Sequence, residues 1–202
     1  MKKIIKLLIL VLLVSLLFLT SCQAVGPVIL TMNNENTGYS VSGIGDPIVV
    51  LGTLVLPNSH NNLPVINIPY GGFAGWSGVF DLVIPGTIEN IGDYAFGTCQ
   101  NLYRVSIEEG TEVIGDYAFA NCNMLSEIYL PSTIKSIGVA AFGLCVGLEV
   151  IYYDGTVEQW NAIEKADGWD REAGFILEYT IRCIDGDIIN GDTSDRLPNI
   201  ES

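Results

Sequence analysis

The residues that could do chemistry in this chain recur at a fixed interval. Cys99, Cys122 and Cys145 are each separated by 23 residues, and Asp93 and Asp116 keep the same spacing. If successive repeats stack like the strands of a sheet, the cysteine Cα atoms lie about 5 Å apart with parallel Cα–Cβ bonds. A disulfide needs Cβ atoms that converge to about 3.8 Å, and structural zinc sites use much closer cysteine pairs. We therefore predict a column of free, buried thiols without a disulfide or a metal ion.

Acidic residues and the single histidine are the other candidates for a catalytic or metal site. Asp93 and Asp116 could form a carboxylate pair, but Val139 stands at the equivalent place in the third repeat, so we predict that both cap helical turns. His60 has no serine or cysteine partner in a recognisable motif. The acidic run Asp185, Asp187, Asp192 and Asp195 lacks the spacing and the terminal glutamate of a calcium loop. The sequence therefore predicts no enzyme, no catalytic residue, no metal site and no cofactor.

Residues 85–153 contain three copies of one 23-residue unit, the first of which reads PGTIENIGDYAFGTCQNLYRVSI. Such a period, with leucine-like residues at fixed offsets, is typical of a leucine-rich-repeat solenoid. Val105 and Ile107 alternate with Arg104 and Ser106, which indicates a half-buried strand. The segment after Asp93 has apolar residues at helical spacing. We therefore predict an α/β-type repeat solenoid with one parallel strand ladder, short helical turns on the other side, and a cap at each end.

The repeat I-x-x-I-G-x-x-A-F-x-x-C-x-x-L-x-x-I-x-I-P resembles the BspA-like class of bacterial leucine-rich repeats. The first copy carries this pattern from Ile88 to Ile107, and the resemblance extends over about residues 40 to 184. It implies a short right-handed solenoid. Members of this class include adhesins, surface antigens and uncharacterised lipoproteins, so the resemblance also implies a non-catalytic module that binds a protein or a glycan. The alternative is a structural lipoprotein that contacts peptidoglycan or other envelope proteins.

The amino terminus has the layout of a bacterial export signal. Lys2, Lys3 and Lys6 precede a nearly unbroken apolar run, which ends in Leu19-Thr20-Ser21-Cys22. These last four residues resemble a lipobox, which implies cleavage before Cys22 and attachment of a diacylglycerol to its sulfur. The alternative is an uncleaved membrane anchor, although the apolar run is short for a membrane span. We therefore expect an exported lipoprotein, anchored through Cys22 on the extracytoplasmic side of a bacterial membrane.

The charge of the chain excludes some partners. The net charge is −14, and the signal contributes three lysines and no acidic residue. Its removal leaves six basic and 23 acidic residues, a net charge of −17. So acidic a protein is unsuited to binding nucleic acid or to lying flat on anionic lipid. The oligomeric state is not indicated.

The repeat boundaries divide the chain into six segments. A degenerate unit precedes the three regular ones, with Trp76 at the cysteine position, and Val28–Thr31 is a candidate extra strand. After the repeats, Thr156 is placed to cap a short helix whose Trp160 and Ile163 face the last repeat. We assign residues 1–21 to the signal peptide, 22–37 to the lipidated cysteine and a tether, 38–84 to the amino-terminal cap and degenerate repeat, 85–153 to the three repeats, 154–190 to the carboxy-terminal cap, with a strand over 175–183, and 191–202 to a flexible tail.

The outward side of the predicted strand ladder is the candidate ligand-binding face. Its residues form two columns that step by 23 residues, the first being Asp81, Arg104, Glu127 and Val150, and the second Val83, Ser106, Tyr129 and Tyr152. Tyr129 and Tyr152 would stack side by side on an exposed sheet, and exposed aromatic side chains are typical of interfaces. The competing interpretation is that such cross-strand pairs only stabilise the sheet.

Overall fold

The computed structural model describes residues 28–43, 52–170 and 178–190. The predicted signal, Cys22, the tail and the first residues of the predicted last strand lie outside this part of the chain. Within it, the chain coils as a β-solenoid whose equivalent residues are 23 apart, which confirms the predicted repeat fold. We call each such turn of the solenoid a rung.

Fifteen strands and one helix make up the described part of the chain. They are β1 (Val28–Met32), β2 (Tyr39–Gly43), β3 (Gly52–Val55), β4 (Ser59–His60), β5 (Leu63–Ile68), β6 (Val79–Ile84), β7 (Asn90–Ile91), β8 (Arg104–Ile107), β9 (Val113–Ile114), β10 (Glu127–Leu130), β11 (Ser136–Ile137), β12 (Val150–Tyr153), α1 (Val157–Ala162), β13 (Glu164–Lys165), β14 (Tyr179–Cys183) and β15 (Gly186–Asn190).

Two ladders run along the solenoid, whereas the sequence predicted one. The long ladder has the order β3-β6-β8-β10-β12-β14-β15, with parallel pairs as far as β14. The second ladder has the order β1-β2-β5-β7-β9-β11-β13, with β4 beside β5. Its strands from β7 onward are two residues long. Strands this short show no alternation of polar and apolar residues, so the pattern that revealed the long ladder could not reveal this one.

The predicted helical turns are tight turns with left-handed residues. In the first repeat, Tyr94 has φ 58° and Thr98 has φ 61°, and an α-helix cannot continue through such residues. The backbone N–H of Tyr94 donates to Asp116 O at 2.9 Å, and that of Phe96 donates to Ala118 O at 2.7 Å. Since the next rung supplies the acceptors, the turn does not need the hydrogen bonds of a helix.

The core contains identical residues stacked on one another. Phe73, Phe96, Phe119 and Phe142 are buried, and successive rings lie 5.1, 5.3 and 5.5 Å apart between centroids, within 7° of parallel. This arrangement follows directly from the repeat, because residues 23 apart are neighbours in adjacent rungs.

The cysteine column is free and buried, as the sequence predicts. Each thiol donates to a phenylalanine carbonyl of the preceding rung: Cys99 to Phe73, Cys122 to Phe96 and Cys145 to Phe119, at 3.3, 3.2 and 3.1 Å. A hydrogen bond with the Cys122 thiol, together with burial, raises the pKa of Cys99 far above its usual range. The Cys99 thiol therefore stays protonated, and all three cysteines serve as small hydrogen-bonding core residues.

The aspartates of the repeat link rungs, whereas the sequence predicted that they cap turns of their own. Asp93 Oδ1 accepts a hydrogen bond from Asp116 N at 2.9 Å, and Asp116 Oδ1 accepts one from Val139 N at 2.7 Å. The role is structural, but the donor belongs to the following rung because the turn itself is not helical.

The amino-terminal end of the fold includes part of the predicted tether. β1 pairs antiparallel with β2, from Val28 opposite Gly43 to Met32 opposite Tyr39. Trp76 takes the cysteine position of the degenerate rung and is buried against Phe73, with ring centroids 5.0 Å apart. A Cβ atom on Gly43 would lie 2.0 Å from the Trp76 ring, so only glycine fits beneath the indole.

The carboxy-terminal end is closed by α1 and β14. Thr156 and Gln159 form a reciprocal capping box at the start of α1, which confirms the predicted cap. Trp160 and Ile163 are buried. The Trp160 ring packs on Tyr153 of the last regular rung, with centroids 5.3 Å apart, and on Trp169 at 5.8 Å. These aromatic side chains cover the end of the core.

We expect Phe119→Ala to lower the free energy of unfolding by about 3–5 kcal/mol, because it opens a cavity between two stacked rings. Tyr70→Ala removes an aromatic ring that is 75% exposed, and we expect it to change the stability by less than about 1 kcal/mol. Urea denaturation, followed by circular dichroism, measures the free energy of unfolding of both variants. Equal losses in the two variants would contradict a core held by the phenylalanine stack.

Candidate functional site

The long ladder brings the predicted surface columns together in register. Asp81 lies opposite Arg104, Arg104 opposite Glu127, and Glu127 opposite Val150. In the second column, Val83 lies opposite Ser106, Ser106 opposite Tyr129, and Tyr129 opposite Tyr152. β14 extends the two columns by Thr180 and Arg182. The eight predicted residues therefore form one surface, although Val83 and Val150 are half-buried and provide no polar group.

The first column is an ion-pair row centred on Arg104. Its Nε lies 2.8 Å from Glu127 Oε2, and its Nη1 lies 3.5 Å from Asp81 Oδ1. The hydrogen bond from Arg104 lowers the pKa of the Glu127 carboxyl, and the same pair raises the pKa of Arg104. The charges of the row alternate in sign, which stabilises the ladder. Both acidic neighbours pair with Arg104, so its positive charge is already neutralised.

The second column contains a stacked tyrosine pair. The rings of Tyr129 and Tyr152 lie 4.5 Å apart between centroids and within 12° of parallel. The Tyr129 hydroxyl donates to Glu127 Oε2 at 3.2 Å, and the Arg182 guanidinium lies 5.9 Å from the Tyr152 ring centroid. Burial, followed by the charge of Glu127, raises the pKa of the Tyr129 hydroxyl. Tyr129 is still 37% exposed, so the pair is fixed in orientation but reachable.

A groove of about 540 Å³ lies beside this pair, where the long strands end. We call it the strand-end groove. Its volume is within the range of ligand pockets, roughly 300–1,000 Å³. It is lined by Ile107, Glu108, Glu109, Tyr129, Leu130, Pro131, Tyr152, Tyr153, Asp154, Arg182, Cys183 and Ile184.

The sequence columns included only two of these lining residues. The rest are the last residues of β8, β10 and β12, the corner residues that follow these strands, and residues 182–184 at the end of β14, which lies outside the regular repeat. The recurring corner after each strand, seen in Leu130-Pro131 and Tyr153-Asp154, was the signal that could have indicated the groove.

A second aromatic row, which the sequence did not predict, lies at the turns that follow the strands of the second ladder. Tyr70 lies 6.1 Å from Tyr94 between ring centroids, and Tyr94 lies 5.1 Å from Tyr117. Tyr94 and Tyr117 have φ values of 58° and 57°, at the position that Gly71 occupies one rung earlier with φ 62°. A bulky residue in this region is strained by about 1–2 kcal/mol, and stacking offsets part of that strain.

Asp192 and Asp195 lie outside the described residues, and the other polar candidates have structural partners. Asp185 Oδ1 accepts a hydrogen bond from Val157 N at 2.8 Å, at the first residue of α1. Asp187 lies 4.0 Å from Arg182. His60 packs edge-on against Tyr39, with ring centroids 5.0 Å apart.

In the described part of the chain, no three histidine, cysteine or acidic residues are grouped so that they could hold a metal ion. Among the same residues, no helix has the length and apolar character to cross a bilayer.

The fold and its repeat define a leucine-rich-repeat solenoid. A family model described as "BspA type Leucine rich repeat region" matches residues 54–163 in six copies. The match covers more than half of the sequence, so the chain belongs to this family, as the sequence pattern predicted. No curated protein matches the chain.

Two solved structures share the fold. A leucine-rich repeat protein from Bacteroides ovatus is 25% identical, with a TM-score of 0.53, over 80% of this chain and 41% of that chain. A leucine-rich repeat protein from Bacteroides capillosus is 22% identical, also with a TM-score of 0.53, over 65% of this chain and 96% of that chain. The chain thus spans about two fifths of the length of the Bacteroides ovatus protein.

We expect the Arg104–Glu127 pair to stabilise the fold at neutral pH and to lose this effect in acid. The pKa of Glu127 is lower in the folded chain than in the unfolded chain. The stabilisation is therefore fully present above the pKa of the unfolded chain, about 4.3. It is lost as the pH falls through the pKa of the folded chain. A double-mutant cycle of Arg104→Met and Glu127→Gln should give a coupling of about 0.2–1 kcal/mol at neutral pH. The same coupling at about pH 3 would contradict this assignment.

Proposed function

We propose that this chain is a non-catalytic binding module on the outer side of a bacterial membrane, and that it recognises a protein or a glycan through the strand-end groove. The observation that carries the proposal is the stacked Tyr129–Tyr152 pair at the edge of that groove. The two rings are held in place but remain partly exposed, which is typical of the anchor residues of an interface.

The position of the tyrosines supports a binding role over simple sheet packing. A stacked pair alone would stabilise the ladder anywhere along its length. Here the two rings line a groove together with the apolar residues Leu130 and Pro131. Aromatic and apolar walls with a few polar groups at the rim are the usual composition of a ligand site, and leucine-rich-repeat solenoids use such extended faces for binding.

The proposed location rests on the amino-terminal sequence. Three lysines, an apolar run and Leu19-Thr20-Ser21-Cys22 are the features of an exported lipoprotein. The net charge of −17 that remains after signal cleavage suits a soluble domain held away from anionic lipid. With two or three acyl chains at Cys22, the attachment would be essentially permanent.

We expect Tyr129→Ala/Tyr152→Ala to abolish binding in a screen of the full chain, kept in mild detergent, against glycans, peptidoglycan fragments and extracellular-matrix proteins. Loss of both rings removes one wall of the groove. Surface plasmon resonance measures the interaction, and thermal unfolding checks that the variant is folded.

The matched control is Tyr70→Ala/Tyr94→Ala, which removes two exposed, neighbouring tyrosines that do not line the groove. We expect this control to bind like the native chain. Equal loss in both double variants, or binding that survives the groove variant, would refute recognition at the groove. Absence of any binding by the native chain would favour a structural role in the envelope.

We expect Cys22→Ala to release the protein from membranes and to stop incorporation of labelled palmitate, because the acylated sulfur is removed. Fractionation of expressing bacteria, followed by immunoblotting, measures the membrane-bound and the released protein. The label in the immunoprecipitated protein measures the incorporation of palmitate. Ser21→Ala is a suitable control, since it keeps a small residue before Cys22 and should leave the anchoring unchanged. Retention of Cys22→Ala in the membrane would indicate an uncleaved anchor instead.

A further inference from the structure

The rim of the strand-end groove carries unbalanced negative charge. Glu108, Glu109 and Asp154 are exposed lining residues, and none of them forms an ion pair with another described residue. Glu109 Oε1 accepts hydrogen bonds from Ser132 N and Oγ at 2.9 and 2.8 Å. These bonds hold the Glu109 carboxylate in place without neutralising it.

The cations of the same face are already engaged. Arg104 lies between Asp81 and Glu127. Arg182 lines the groove, but its guanidinium is over the Tyr152 ring and 4.0 Å from Asp187. Among the described residues of this face, neither Arg104 nor Arg182 is an unpaired positive charge that could attract an anion. Its rim adds to the acidity of a chain whose net charge is −14, and such a field raises the rate of encounter with cationic partners.

The floor of the groove is apolar. The buried residues Ile107, Leu130, Pro131 and Tyr153 line it, and Ile184 adds an exposed apolar side chain. An extended peptide places successive side chains on opposite faces, so alternate residues can enter an apolar groove while their neighbours reach its rim. A free metal ion or a small inorganic cation would leave this floor uncovered.

Tyr129 offers a further contact for a cation. One side of its ring stacks on Tyr152, while the neighbour on the other side is Ser106, whose side chain is too short to cover a phenol ring. Lysine and arginine side chains bind tyrosine faces by cation–π attraction. The aromatic pair and the acidic rim thus favour the same kind of side chain.

We propose that the strand-end groove binds an extended peptide segment of a partner protein that carries lysine or arginine beside an apolar side chain. This inference rests on the proposed function and specifies the ligand of the same site. The basic group lies between the rim carboxylates and the Tyr129 ring, and the apolar side chain lies on Leu130 and Pro131.

The test uses three fluorescein-labelled peptides that differ only in charge, GRLKFG, GQLQFG and GELEFG. Fluorescence anisotropy of each is measured against the full chain in mild detergent, at low and at physiological salt. We expect GRLKFG to bind at least about tenfold more tightly than GQLQFG, GELEFG not to bind, and the affinity for GRLKFG to fall as salt rises. Equal binding of the three peptides would overturn the inference.

Two double variants locate the charge effect. Glu108→Gln/Asp154→Asn removes two rim carboxylates, and we expect it to weaken GRLKFG binding by about tenfold. Glu89→Gln/Asp167→Asn removes the same charge from exposed positions next to the short-stranded ladder, and we expect less than about a twofold change. Equal weakening by both variants would show non-specific attraction and would overturn the inference.

The tyrosine variant separates this inference from the proposed function. If GRLKFG binding survives Tyr129→Ala/Tyr152→Ala, the peptide does not occupy the groove and the inference is wrong. If a glycan binds in a tyrosine-dependent way and GRLKFG does not bind, the inference is wrong and the proposed function stands. If neither the peptides nor any member of the screen binds in a tyrosine-dependent way, both fail.

Discussion

Backbone hydrogen bonds between successive rungs are the interaction on which the rest of this structure depends. The N–H groups of Gly92, Gly115 and Gly138 donate to the carbonyls of Ile68, Ile91 and Ile114, each at 2.8 Å. The rungs approach so closely here that a Cβ atom on Gly115 would lie 2.7 Å from Asp93 N. A side chain at these glycines would separate the rungs. Because the bonds repeat with one offset, residues of the regular rungs stack on the residues 23 positions away.

This fixed offset decides which side chains a column can contain. Phenylalanine rings can stack on phenylalanine rings, and thiols on thiols, without electrostatic repulsion, because these groups are uncharged. Like charges opposite each other would destabilise the ladder, and the exposed column accordingly alternates from Asp81 to Arg104 to Glu127. Asp93 and Asp116 are tolerated in one column because each carboxylate accepts a backbone N–H of the next rung.

The sequence predicted those parts of the molecule that obey the period. The solenoid, the free thiol column and the register of the two surface columns follow from residues 23 apart, and the Thr156 cap follows from the local sequence at the start of α1. The second ladder was not predicted because two residues are too few to show a strand pattern. The turns were taken for helix because their left-handed φ values at Tyr94 and Thr98 have no signature in residues other than glycine.

The groove was not predicted for a different reason. It forms where the period ends, and it combines corners of three rungs with Arg182–Ile184 of the closing segment. No single repeat contains it. A site of this kind depends on how β14 packs against the repeats, which is a property of the tertiary structure.

The reversed strands at the two ends have a consequence for self-assembly. Within the described residues, β1 runs against β2 at the start of one sheet, and β15 runs against β14 at the end of the other. If two molecules met end to end, β13 would face a reversed β1 and β15 would face β3. Neither sheet could continue as a parallel ladder across the junction. End-to-end growth into one continuous parallel solenoid is therefore disfavoured, which removes one of the ways in which open strand edges associate.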